Sequence, residues 1–420
     1  MPDSIRTSVL PNGLLLISER LPYVRSIALG LSFRLGGRDD PPDLAGLAHL
    51  NEHMVFKGTD RLSARDISFE AEALGAELNA FTDKELTCFY GRFPSDEQAG
   101  VTKLLAEIVA RPAFAPEEVA KEKEVIFEEI RTGEEDPESK APNLLFEAFY
   151  AAHPMAWPIS GTVESVSRPG PGELRNLYGQ RYNTGSCIAV AVGDVEHETI
   201  AAALSGPLAG WRPAEKLGRA APEPAGPACR VQNRPDLSQV YVCLGLPAFR
   251  YVDERRYALT VLNTAYGGGL SSRLFQRLRE EEGLVYSVSS FAEMYEDSGL
   301  VGVYFIADRK KLERCIRVLR EETVKLRRGR LRSDEFDRAR NITRSSLVLS
   351  LEGSSNRMLR LARNRHLLGS VAPVDETIDR FDRLKLDDVN DLVDAVFADR
   401  QFYAGAVGPL EQADLERSLA

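Results

Sequence analysis

Helices interleaved with hairpin-like strands predict an α+β fold, in two divergent copies of one unit. Three observations carry this. Strand-like and helix-period segments do not alternate one for one, as a doubly wound parallel sheet would require. Proline and glycine concentrate between Gly206 and Pro227, as in an interdomain connection. The order of segments before that stretch recurs after it, which marks internal duplication. The expected division is a first domain over 1–210, a linker over 211–228 and a second, homologous domain over 229–420. Each domain is expected to be a mainly antiparallel sheet covered by helices.

Residues 8–37 read as a hairpin. Segments 14–17 and 27–33 are apolar and β-rich, and Pro11-Asn12-Gly13 offers turn chemistry. Asp43 can cap a helix reaching about Phe56, stopped by Gly58. A second helix covers about 64–74 and ends at Gly75. Strands follow at 78–81 and 86–93, then a helix near 98–110. Pro116, suited to a first helical turn, opens a long charged helix to about Arg131. After the linker, 240–244 is strand-like and a helix covers about 256–265. Gly267-Gly268-Gly269 turns the chain into a further helix. Strands at 286–293 and 299–306 lead to a helix pair, in which 336–349 stands where the charged helix stood.

At 420 residues, 43% hydrophobic and 28% charged, the chain has room for two cores and an ordinary soluble composition. No stretch reaches the roughly 18 apolar residues of a membrane helix. The polar start from Met1 to Arg6 lacks the layout of a secretory signal. A net charge of −10 argues against a nucleic-acid partner. The cysteines (Cys88, Cys187, Cys229, Cys243, Cys315) are scattered and odd in number, so neither a zinc cluster nor a disulfide framework is indicated. The expected setting is cytoplasmic.

The most informative segment is His49-Leu50-Asn51-Glu52-His53. Helix positions four apart share a face, so two imidazoles can grip one ion from one side. Glu52 reaches that same side as a base. Two nitrogen ligands and a carboxylate are the core of a hydrolytic metal site, here in the reverse order of the commoner His-Glu-x-x-His. The plain alternative is a pair of solvated helix histidines. His153, His197 and His366 read as structural, and Cys88 as core. The glycine triplet lacks the Lys-Ser/Thr of a phosphate loop.

Catalytic zinc takes three protein ligands and keeps one position open. On a wheel of about 100° per residue, Val119, Ile126 and Ile130 form the apolar stripe of the charged helix. Glu122 and Glu129 lie at its edge, while Glu124 and Glu128 point the other way. Burying a carboxylate is costly unless it is paired or metal-bound. Ligation by one of Glu122 and Glu129, with the other in support, would account for both. A helix rich in Lys and Glu with a wide solvated face is the alternative.

These residues resemble the pitrilysin/insulinase family of zinc metallopeptidases, the inverzincins. Within it they resemble the half-length, two-domain subunits related to mitochondrial processing peptidase. The likeness covers nearly the whole chain. It takes in Leu10-Pro11-Asn12-Gly13, Gly46-Leu47-Ala48-His49, Phe56-Lys57-Gly58-Thr59, Leu78-Asn79-Ala80-Phe81-Thr82 and 123–130. It continues through 267–275 and Arg279-x-x-x-Gly283-Leu284-x-Tyr286. The resemblance implies His49, His53 and Glu129 as ligands of one Zn2+ per chain, Glu52 as general base and Glu122 as support for a ligand. It implies that Asn79 and Ala80 offer a strand edge to the substrate backbone, with Phe81 beside a side-chain pocket. Arg279 and Tyr286 resemble an arginine–tyrosine pair that contacts substrate and helps stabilise the oxyanion. The implied activity is metal-dependent endopeptidase action on extended or unstructured peptides. Long relatives close two such halves like a clamshell. This chain is one half yet carries both motifs, so the implied assembly is a clamshell-type homodimer. Each site would join one chain's metal to the other chain's Arg279 and Tyr286. The alternatives are a non-catalytic scaffold or partner subunit, and a heterodimeric enzyme.

Overall fold

The computed structural model describes residues 5–214, 217–223, 226–398 and 401–419; the expected linker falls partly outside them. The chain divides into two compact units. The first comprises Met1–Arg131, Pro158–Arg219 and Ser350–Pro373, and the second Thr132–Trp157, Ala220–Leu349 and Val374–Ala420.

The first unit holds β1 (Ile5–Val9), β2 (Leu15–Arg20), β3 (Ser26–Phe33), β4 (Glu77–Thr82), β5 (Thr87–Pro94) and β6 (Cys187–Gly193). Their order in the sheet is β1-β2-β6-β3-β5-β4. Residues 8–37 therefore do not form the expected hairpin. β6 runs between β2 and β3, parallel to the former and antiparallel to the latter. The Pro11-Asn12-Gly13 turn, with Gly13 at φ 87°, joins β1 to β2 instead. Burial explains the insertion. β6 is apolar and buried at every position, as suits a central strand. Nothing local to 8–37 signals a strand that arrives from so far along the chain.

The second unit holds β7 (Cys229–Asn233), β8 (Gln239–Pro247), β9 (Val285–Met294), β10 (Gly299–Asp308) and β11 (Tyr403–Gly408). Their order is β7-β11-β8-β10-β9. The first pair is parallel and the rest antiparallel. β2-β6-β3-β5-β4 repeats that order and those senses strand for strand, with β1 as an addition. The duplication suspected from segment order is thus present in the hydrogen bonding.

Each sheet packs helices on its two faces. In the first unit, residues 98–110 cover one face, and Ser354–Leu368 covers the other through Met358, Leu361 and Ala362. In the second, Pro137–Tyr150 lies close enough that Leu145 fills the space above Gly245 and Gly405. Among the described residues, no helix is long and apolar enough to cross a membrane. All five cysteines are buried and free.

Candidate metal centre

The histidine helix runs over Leu47–Val55. Leu47, Leu50, Met54 and Val55 are buried, so the wheel turns His49, Glu52 and His53 away from the core. The helix starts later than expected. Asp43 stays exposed in a short 3-10 turn, Pro42–Leu44, and does not cap it. Asp40 does that work from further upstream: its Oδ2 accepts Gly46 N at 2.9 Å and its Oδ1 accepts Ala48 N at 3.0 Å. Gly46 sits at φ 92°, a left-handed conformation that lets the chain turn sharply into the helix.

His49 Nε2 and His53 Nε2 lie 3.3 Å apart. Glu129 Oε2 lies 3.8 Å from the first and 3.7 Å from the second. A tetrahedral ion at about 2.0–2.1 Å from its nitrogens spaces its ligands at about 3.3 Å, so this triangle fits one zinc-sized ion. Among the described residues, these three form the one His/Cys/Asp/Glu group so arranged. Burial, with the neighbouring His53 charge, pushes His49 down to about 4. Its imidazole is therefore neutral at ordinary pH, with a lone pair to give. The donor set and the spacing both suit zinc.

Glu122 and Glu129 come from Pro116–Glu135, a helix one turn longer than expected. Val119 and Ile126 are buried and Ile130 half-buried, while Glu124 and Glu128 face solvent. Glu129 is exposed too, so the expected burial of two carboxylates holds for Glu122 alone, because Glu129 lies on the outer edge of the stripe. Glu122 is buried. Its Oε1 meets His53 Nδ1 at 2.8 Å and its Oε2 meets Lys57 Nζ at 2.7 Å. Burial alone would raise Glu122, but the hydrogen bonds to His53 and Lys57 outweigh it and hold the carboxyl below its usual range. His53 is pushed down by burial, but Glu122 and the charges of Glu129 and Glu52 outweigh that and lift it. A carboxylate accepting the Nδ1 proton leaves the Nε2 lone pair aimed at the ion.

Glu52 differs. Burial raises it, opposed by a hydrogen bond from Thr82 and by His53, and reinforced by Glu129. Among the described residues its Oε2 has no hydrogen-bond partner, and nor does His49 Nδ1. Thr82 ends β4, the terminal strand of its sheet. Asn79 is exposed there, and its Oδ1 accepts the Ala80 N–H at 2.7 Å. Phe81 is half-buried, with its ring 6.4 Å from that of Tyr90.

Arg279 and Tyr286 lie in the second unit. Arg279 is exposed in the Phe275–Glu281 turn of π-helix, its guanidinium 5.0 Å from the Phe275 ring. Tyr286 is 72% exposed on β9, the terminal strand of the second sheet. Gly267 explains the glycine-rich turn: a Cβ there would stand 2.8 Å from Ser290 N on β9. The helix that follows β8, Arg256–Gly267, contains neither His nor acid. The duplicated unit therefore carries the metal motif in one copy alone. His153, His197 and His366 are each hydrogen-bonded away from the triangle. Sequence reasoning missed Asp40, Lys57 and Thr82. Only Lys57, four residues after His53, had a helical spacing that could have flagged it.

Two family models match the chain. One described as Insulinase (Peptidase family M16) matches residues 15–163, and one described as Peptidase M16 inactive domain matches residues 171–343. An uncharacterized zinc protease of Streptomyces coelicolor is 33% identical over 425 residues, covering 99% of this chain and 92% of its own. An uncharacterized zinc protease of Bacillus subtilis is 32% identical over 398 residues, covering 94% and 96%. Among solved structures, a peptidase M16 inactive domain from Pseudomonas fluorescens has a TM-score of 0.90 at 19% identity, covering 97% of this chain and 98% of its own. A protease from Helicobacter pylori has a TM-score of 0.87 at 20% identity, covering 96% and 99%. Both share the fold.

Proposed function

The chain belongs to the insulinase family of peptidases, M16, and on that premise we propose that it is a zinc-dependent endopeptidase of extended peptides. The observation that carries the reading is the His49–His53–Glu129 triangle, oriented from behind by Glu122. Relatives across nearly the full chain are named zinc proteases, which supports the same metal and reaction class.

Bound there, zinc would supply Lewis-acid activation of water and of the scissile carbonyl. The other roles belong to this chain's residues. His49, His53 and Glu129 hold the ion, and Glu122 fixes the His53 ring. Glu52, raised by burial and facing the same side, takes the proton of the attacking water and returns it to the leaving amine. The substrate backbone pairs with β4 at Asn79 and Ala80, displacing the Asn79 amide oxygen from the Ala80 N–H, with Phe81 beside it. Along the chain, residues 1–210 form the metal-binding copy, 211–228 the connection and 229–420 the copy bearing Arg279 and Tyr286. A second copy of the chain supplies that pair, the arginine to hold the substrate backbone and the tyrosine hydroxyl to stabilise the oxyanion.

Mass-spectrometric mapping of cleavage in a peptide library tests the reading, with Glu52→Gln as control. Internal cuts by the wild-type protein alone are expected. No cleavage above the control would remove the peptidase assignment.

A further inference from the structure

A loop at 36–40 lies against both parts of the proposed site, and a residue from far along the chain fastens it. Gly37 N and Arg38 N donate to Asp83 O and Lys84 O, both at 3.0 Å, so the loop pairs with the turn joining β4 to β5. A Cβ on Gly36 would stand 2.5 Å from Asp83 O, Glu85 N and Lys84 C. Those are backbone atoms, so only glycine fits. On its other side, the loop presents Asp40 to the first turn of the histidine helix.

Arg219 is the fastener. Its Nε and Nη2 donate to the two oxygens of Asp39 at 2.8 and 2.6 Å, and Nη2 also reaches Glu85 O at 2.7 Å. Arg38 Nη1 meets Glu85 Oε1 at 2.6 Å. The side chains of Arg38, Asp39, Glu85 and Arg219 are at most 4% exposed, so two positive and two negative side chains are buried in contact with one another. A planar guanidinium can serve both oxygens of Asp39 and still reach Glu85; an ammonium cannot. Arg219 is also where the chain leaves the first unit. We infer that Arg219 is a positioning residue, which sets the histidine helix in register with the β4 edge. That this register serves peptide cleavage rests on the function proposed above.

Three variants test it. Arg219→Lys keeps the charge and loses the fork. Arg219→Met removes the charge, and Arg219→Met with Asp39→Asn restores the balance without the fork. Hydrogen–deuterium exchange is read over 44–50 and 77–86, alongside the thermal midpoint and, for a peptide the wild type cleaves, kcat and KM. The double variant is expected to regain most of the midpoint lost in Arg219→Met. It and Arg219→Lys are still expected to exchange about fivefold faster in both segments, with KM raised more than kcat is lowered. Wild-type exchange in both segments of Arg219→Lys, or recovery of protection together with the midpoint in the double variant, would overturn the inference. Exchange needs no turnover, so a protein that cleaves nothing would sink the peptidase reading and leave this result decisive.

Discussion

Glu122 and Glu52 are acids beside one histidine, yet their surroundings drive them in opposite directions. Glu122 has His53 and Lys57 as partners and is held low despite its burial. Glu52 is raised by burial, and only Thr82 and His53 oppose it. Titratable neighbours pushed apart in this way mark divided labour. Glu52→Gln is expected to lower kcat by about 10²–10⁴, with zinc content by elemental analysis unchanged; lost zinc would mean Glu52 helps to hold the ion. Glu122→Gln is expected to weaken zinc binding by about 10–100-fold, read by competition with a chelating dye. It also has a pH signature in metal-free protein. Glu122 lies below its ordinary 4.5 when folded, so its contribution is present above that pH and is lost as pH falls through the folded value. His53 lies above its ordinary 6.5, so its contribution is present below that pH and is lost as pH rises through the folded value. The stability difference between wild type and Glu122→Gln should therefore peak between about 4.5 and 6.5. It should fall only partly above that window, because Glu122 Oε2 keeps its contact with Lys57 Nζ. A difference flat with pH would remove the pairing as its cause.

Two elements bring the site together, the histidine helix and β4, and each has a variant that tests its role. Asp40 satisfies two N–H groups at the start of the helix. Asp40→Ala should cost about 1–2 kcal/mol in urea unfolding and speed zinc release; unchanged release would mean the first turn does not control His49. On β4, the Ala80 N–H donates to the Asn79 side chain, and Ala80→Pro removes that donor from the terminal strand. One lost hydrogen bond is roughly 0.5–1.5 kcal/mol, or about two- to tenfold in kcat/KM. A fall in stability without a fall in kcat/KM would argue against strand addition. These elements also show what was legible in the sequence. His49, Glu52 and His53 were, because a four-residue helical spacing is local. Glu122 was, because an acid buried beside an apolar stripe demands a partner; Glu129 is exposed, so burial did not mark it, and the family resemblance singled it out. β6 between β2 and β3 was not, since β6 begins at Cys187 while both its neighbours lie within 15–33. Nor was Arg219, whose partners Asp39 and Glu85 stand 180 and 134 positions away. Pairings fixed by tertiary burial leave no trace in any window of neighbouring residues.

At the scale of the molecule, the two sheets share one strand order, but the chemistry is divided between the copies. The first has the metal triangle and the half-buried Glu52. The second has no histidine in the helix after β8, and it presents Arg279 and Tyr286 to solvent. Among the described residues, the Tyr286 hydroxyl makes no hydrogen bond, and a tyrosine 72% exposed on a terminal strand is free to serve another surface. If that surface belongs to a second copy, symmetry gives two equal sites per dimer, each built from both chains. The arithmetic is then fixed. A chain carrying only Glu52→Gln and one carrying only Tyr286→Phe are each inactive as homodimers. In a mixed dimer, one site collects both lesions and the other collects neither. Equal mixing with free exchange puts about half the dimers in the mixed form, each with one good site of two, so about a quarter of wild-type turnover should return. Exchange should be confirmed by native mass spectrometry on differently tagged chains. If mixed dimers form and no activity returns, Glu52 and Tyr286 act within one chain or not together. Wild-type protein that cleaves peptides as a monomer would exclude trans completion directly.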